Sequence, residues 1–415
     1  MPLNDEKIEQ TKEQSPKNTA FLLSHSKEET EFFNAFKSSN LHHSWLITGP
    51  KGIGKATLAY RIARYIFSLS NPDHLKNLNI KIDTSTPILE NNFSYEEEEE
   101  GDDTEDMGFF ESDSVAVSQT SPTINKVSLD KYDTSPLKLS PTHPIFERLN
   151  AGGLTDLIII EREYSETTKK LKTEISVEQI RNLKEFFSKT SSEGGYKVAI
   201  IDSVDEMNAN SKNALLKILE EAPKKSLLLL ICHNINGILP TIKSRCRILK
   251  LSPIDNENMK LLLRENLPNI TEAEITKLIN ISGGSIGNAI NIYNNNGLDL
   301  QNKIFTIIPE IFNKKSTGIL EIANLVSNEE VFKIFQHIIL NFISNAIKYK
   351  SKIKLENIDE VERTSLETIT NHYQNIKALF TIREGLLNNF KLYPLLNLDI
   401  TALIISTFER LKNVY

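Results

Sequence analysis

The sequence predicts an α/β fold, a parallel sheet with helices on both faces, followed by regions built from helices alone. Three observations predict it. Five short apolar runs alternate with helix-period segments between residues 45 and 251; a glycine-rich loop joins the first run to a helix; and beyond Pro253 the apolar spacing is three and four throughout.

Residues 1–18, polar and acidic, read as a disordered tail. A helix is expected over Glu28–Ser39, where Phe32, Phe33 and Phe36 recur at helical spacing. WLIT (Trp45–Thr48) reads as a buried strand running into glycines, and Gly54–Ser68 as a helix with Leu58, Ile62 and Tyr65 on one side. From about Asn71 to His143 the composition turns to Asn, Ser, Thr, Pro and acid, and a disordered insertion is expected.

Order resumes at LIII (Leu157–Ile160), a continuous apolar run of the kind covered on both faces. Ser176 and Gln179 form a capping box ahead of Val177, Ile180, Leu183 and Phe187, which predicts a helix over 177–189. KVAII (Lys197–Ile201) is a third strand, followed by a helix through Ala214, Leu215, Ile218 and Leu219 that Pro223 ends. LLLLI (Leu227–Ile231) and RILKL (Arg247–Leu251) complete the sheet. A short helical group then reaches about Asn295, and longer helices follow, such as Val331–Ala346 with Phe332, Phe335, Ile338, Ile339 and Phe342 on one face. The division expected is an α/β domain over 19–252, a small helical domain over 253–297 and a helical domain over 298–415.

At 415 residues and 39% hydrophobic, the chain is long enough for that many cores. No run approaches the roughly eighteen uncharged apolar residues of a membrane helix, and the first residues are too acidic for a secretory signal, so a cytoplasmic location is expected. Cys232 and Cys246 make no disulfide framework and, with eight scattered histidines, no paired zinc spacing, so no metal site is expected. The net charge of −7 hides a local excess: Glu96–Asp106 holds nine acids and no base, and the remainder nets +2. Such a balance permits contact with nucleic-acid phosphates without arguing for it.

GPKGIGKA (Gly49–Ala56) stands between a strand and a helix, the context a phosphate-binding loop requires. Backbone N–H groups around Gly49, Gly52 and Gly54 and the helix N-terminus would present positive charge to a polyphosphate, and Lys55 would reach its terminal phosphates. The position whose hydroxyl ordinarily ligates Mg²⁺ is Ala56, and Thr57 lies one helical step, about 100°, away. Two readings of the loop stay open: a degenerate turn without ligand, or weak ATP binding. Asp202 ends the third strand, where an acid would hold magnesium through water. The next residue, Ser203, has no carboxylate to orient an attacking water, so little hydrolysis is expected.

LPTIKSRC (Leu239–Cys246) lies between the fourth and fifth strands. Preceded by LHHSWLITGPKGIGKATLA and then GGYKVAIIDSVDEMNANSKNALLKILEEAP, it resembles the clamp-loader subunits of bacterial DNA polymerase III, members of the AAA+ ATPase family, over about 21–295 without the insertion. That resemblance implies an AAA+ P-loop module with a helical lid and a C-terminal collar, in a hetero-pentameric ring that loads the beta sliding clamp on primed DNA. It implies that Arg245, within Ser244-Arg245-Cys246, projects as a finger into a neighbour's ATP site, where a planar, permanently charged fork suits developing phosphate charge. A finger of this kind contributes roughly 10³–10⁵ in rate. Ala56 and Ser203 favour the stator branch, delta-prime, over the hydrolysing gamma/tau branch, with gamma/tau and delta subunits as partners in the replisome at the nucleoid. An active gamma/tau-like ATPase is the alternative.

GGSIGNAI (Gly283–Ile290) resembles the family's sensor-2 helix, with Asn288 where an ATP-contacting arginine is usual. Many relatives carry a four-cysteine zinc module where this chain has its acidic insertion, so no zinc is expected. For Arg245 a plain surface salt bridge remains the other reading, and for the acidic run a solvated segment without a partner.

Overall fold

The computed structural model describes residues 15–38, 40–70, 129–165, 171–313, 318–355, 358–396 and 399–413. The acidic run 96–106 lies outside them. Helix α1 (Ser26–Lys37) precedes β1 (Ser44–Thr48), which leads through the glycine loop into α2 (Lys55–Ser70). After α3 (Pro144–Asn150) come β2 (Leu157–Glu161), α4 (Val177–Ser188), β3 (Lys197–Asp202), α5 (Ala209–Glu220), β4 (Ser226–Cys232), the short α6 (Pro240–Lys243) and β5 (Arg247–Lys250). All five strands are parallel, in the order β2-β3-β4-β1-β5.

Alternation along the central strands explains how one apolar run serves two layers. Trp45, Ile47, Val198, Ile200, Leu227 and Leu229 enter the cluster beneath α1, α2 and α3, whereas Leu46, Ala199, Ile201, Leu228 and Leu230 enter the one beneath α4 and α5. The Ser176–Gln179 capping box is present on α4, with Ser176 accepting from the Gln179 N–H. Buried on both faces, these strands have no need of the polar alternation of a half-exposed sheet. β5 is an edge and its side chains are mostly exposed, with Arg247 and Lys250 blunting it against further pairing.

From Asn256 onward every described element is helical: α7 (Asn256–Asn266), α8 (Glu272–Ser282), α9 (Ile286–Asn294), α10 (Gly297–Phe312), α11 (Gly318–Leu325), α12 (Glu329–Lys350), α13 (Glu360–His372), α14 (Ile376–Leu396) and α15 (Ile400–Lys412). They share one continuous buried cluster, from Ile254 to Leu411, which includes Phe332, Phe335, Ile338, Ile339 and Phe342 of α12. No described helix is long and apolar enough to cross a membrane.

Two expectations of disorder are corrected. The N-terminal tail gives way to fixed chain before residue 18, because the Arg64 guanidinium receives the backbone there, donating to the carbonyls of Lys17 and Thr19 at 3.0 and 2.8 Å. The insertion does not run to 143 either. Leu129, Leu137 and Leu139 are buried, and Asp133 meets Arg61 of α2 at 2.7 Å, with Glu29 of α1 on the same guanidinium at 2.7 Å. A polar composition concealed three apolar anchors and a counter-ion for a buried arginine.

Candidate functional site

Gly49–Ala56 arches from the carboxyl end of β1 onto the N-terminus of α2, and the carboxyl end of β3 brings Asp202 to the same edge of the sheet. Such edges, at the strand ends of an open parallel sheet, are where this architecture places ligands. Gly52 has φ +78, and a Cβ there would stand 2.4 Å from the Ser285 hydroxyl. The loop therefore needs glycine both for its backbone and for the approach of α9.

Lys55 is buried, and its ammonium donates to the carbonyl of Gly49 at 2.7 Å and to that of Pro50. Burial pulls its pKa down to about 8, opposed by the charges of Asp202 and Asp205. Asp202 moves the other way: burial pushes it up to about 6, Glu206 adds to the shift, and Lys55 opposes it. The site thus holds an acid and a base each desolvated toward neutrality. Thr57 is buried in the body of α2, while Ala56 packs at the margin of the apolar cluster. Ser203 is fully buried, and its hydroxyl has no hydrogen-bond partner among the described residues.

The helical group closes over the loop. The Gly287 N–H at the start of α9 donates to the Gly52 carbonyl at 2.9 Å, and the Ser285 hydroxyl to the Lys51 carbonyl at 2.8 Å. Asn288 carries its side-chain amide toward His337 of α12, at 3.3 Å. From beneath, the His25 Nε2–H donates to the Ile53 carbonyl at 2.8 Å. Five loop carbonyls, those of Gly49, Pro50, Lys51, Gly52 and Ile53, are thus satisfied by the protein itself.

Sequence reasoning missed several of these groups. Asp205 accepts from the His233 N–H at 3.0 Å and the Asn234 N–H at 3.2 Å, tying the end of β4 to the turn after β3. His233 is pulled down to about 4 by burial and by the charge of Lys55. No motif marks either residue; only the register of β3 with β4 makes them neighbours.

Arg245 lies elsewhere. It precedes β5 and sits beside Ser44, at the amino end of β1, so the five residues of β1 separate it from the glycine loop. At roughly 3.3 Å per residue that is about 17 Å. Its side chain is 36% exposed; Nη2 meets Glu220 Oε1 at 2.8 Å and Nη1 donates to the Thr241 carbonyl at 3.0 Å. Ser244 donates to the same carbonyl at 3.1 Å. Burial pushes the Cys246 and Cys232 thiols up to about 11, so both are protonated packing residues at neutral pH. Among the described residues no three His, Cys, Asp or Glu side chains gather as metal ligands.

Residues 143–255 match the family described as "DNA polymerase III, delta subunit". Over 138 residues, 33% of this chain and 40% of the relative, the sequence is 38% identical to DNA polymerase III subunit delta' of Pseudomonas aeruginosa. Over 264 residues, 62% of this chain and 53% of the relative, it is 26% identical to DNA polymerase III subunit gamma of Buchnera aphidicola. Both alignments span less than two thirds of the relative's length. Among solved structures, a DNA polymerase III gamma subunit-related protein of Thermotoga maritima aligns with 63% of this chain and 84% of its own, at 16% identity and a TM-score of 0.34.

Proposed function

We propose that this relative of the delta-prime clamp-loader subunits is a non-hydrolysing ring subunit that offers Arg245 to the ATP site of a neighbour. The observation that carries this reading is the position of Arg245, partly exposed at the sheet edge opposite the chain's own phosphate loop. About 17 Å of strand is more than an arginine side chain spans, so a phosphate reached by this guanidinium belongs to another subunit. The fork then stabilises charge developing on the transferring phosphoryl oxygens.

The phosphate loop supports the same reading from the other side. Ala56 supplies no hydroxyl for Mg²⁺ and Ser203 no carboxylate for water. Lys55 is already taken up by loop carbonyls, and α9 is hydrogen-bonded to the loop's outer face. Residues Gly49, Gly52, Gly54, Lys55, Thr57 and Asp202 would hold at most weakly bound ATP, and no zinc is required. The partners proposed are gamma/tau and delta subunits in a five-membered ring, acting with the beta clamp and primed DNA in the cytoplasm.

A second reading, an active gamma/tau-like ATPase, is favoured by the length of the alignment to the Buchnera gamma subunit. One assay separates the two. ATP turnover by the isolated chain is expected to be negligible, whereas a loader reconstituted with its cognate gamma/tau and delta subunits should hydrolyse ATP and lose most of that rate with Arg245→Ala. Equal ring assembly is the control. Turnover by the chain alone, or an unchanged rate with the alanine variant, refutes the proposal.

A further inference from the structure

We infer that Glu220 parks Arg245 within its own subunit and thereby sets how readily the arginine reaches the neighbouring nucleotide; this rests on the finger reading above. The main chain and side chain of Arg245 are held in different ways. Its carbonyl accepts from the buried Ser44 hydroxyl at 2.6 Å, which ties the backbone to β1. Among the described residues the guanidinium has exposed partners, the half-exposed Glu220 carboxylate and the Thr241 carbonyl. The backbone is fixed and the fork is free to exchange partners.

Glu220 is itself well placed for this. It is the last residue of α5, and the preceding carbonyl, of Leu219, accepts from the His43 Nε2–H at 2.9 Å. His43 and Ser44 are consecutive residues at the start of β1, so one short stretch anchors both the parking carboxylate's helix and the arginine's backbone. The last turn of a helix is its negative pole, which reinforces the hold on a cation. Glu220 also competes in kind with the proposed target, because carboxylate and phosphate oxygens take the same fork.

An exposed pair of this type is weak enough to release its partner. Its strength corresponds to roughly a two- to fivefold bias between parked and extended arginine, and less at high salt. The parked state therefore tunes the transfer without preventing it. Glu220 acts here as a positioning residue, and its effect should pass entirely through Arg245.

The test uses the reconstituted ring with the full chain and compares wild type, Glu220→Gln, Arg245→Ala and the double variant in clamp- and DNA-stimulated hydrolysis across ATP and salt concentrations. Glu220→Gln is expected to raise kcat about two- to fivefold at low salt, with little change in the KM for ATP. The gain should shrink as salt rises and vanish in the Arg245→Ala background. Glu220→Asp, charged but shorter, should fall between. A kcat unchanged or lowered by Glu220→Gln overturns the inference, as does a gain that persists without Arg245. If Arg245→Ala alone leaves the rate untouched, the finger reading fails and the parking role fails with it, an outcome told apart from the first by the single variants.

Discussion

The Ser44 hydroxyl donates to the Arg245 carbonyl at 2.6 Å, joining residues 201 positions apart in the chain. Ser44 is the first residue of β1 and fully buried, so this bond fixes the entry into β5 against the neighbouring strand. Ser44→Ala is expected to lower the unfolding free energy by about 1–2 kcal/mol, the cost of leaving a carbonyl without its donor. Urea denaturation measures it; a loss below the error of the extrapolation would mean that the carbonyl finds water instead.

The pairing of Arg61 with Asp133 and Glu29 is enclosed, with side-chain exposures of 2% or less. Removing one partner strands a buried charge, so Asp133→Ala should destabilise the protein by about 3–5 kcal/mol. A smaller loss is expected for Glu29→Gln, because burial already pushes the Glu29 carboxyl upward toward its neutral form and the amide oxygen can still accept from Arg61. Thermal melting of the two variants side by side gives the order.

Asp202 links stability to pH. Its pKa is raised in the folded protein, from 3.8 to about 6, so the fold favours the protonated acid. That favour is complete below pH 3.8 and is lost as pH rises through about 6. Asp202→Asn should accordingly be more stable than wild type at pH 7.5, by about 3 kcal/mol, with the two converging near pH 4. Equal stability at both pH values would show that Lys55 compensates the buried charge in full.

At Gly52, a methyl group would meet Ser285 Oγ at 2.4 Å and the Gly287 Cα at 3.2 Å, on a backbone with φ +78. Gly52→Ala should strain the loop and part α9 from it, costing about 1–3 kcal/mol. Amide hydrogen exchange is the direct readout: protection of the Gly287 N–H, which donates to the Gly52 carbonyl, should fall while that of the α12 interior is kept.

Much of the α/β module was legible because its signals are local. The strand run Leu227–Ile231 and the helix behind the Ser176–Gln179 box depend on residues within a few positions of one another, and both appear within a residue or two of the expected bounds. The Gly49–Ala56 loop was legible for the same reason. What was misread, Ser135 to Leu139 as disorder, has local polarity that outweighs Leu137 and Leu139 until their burial is seen. Asp205, His233 and Glu220 carry no local mark at all; each matters through a partner 25 or more positions away.

By itself the sequence determined the strands, the helices and the glycine loop that joins β1 to α2, with Ala56 in it and Ser203 after β3, because periodicity and residue type act over one or two turns of chain. Only the tertiary structure decided that α9 is bonded to that loop, that Lys55 is held by the loop's own carbonyls, and that Arg245 faces the opposite edge of the sheet with Glu220 as its partner. Those relationships follow from strand order and helix packing, which juxtapose residues that no local pattern connects.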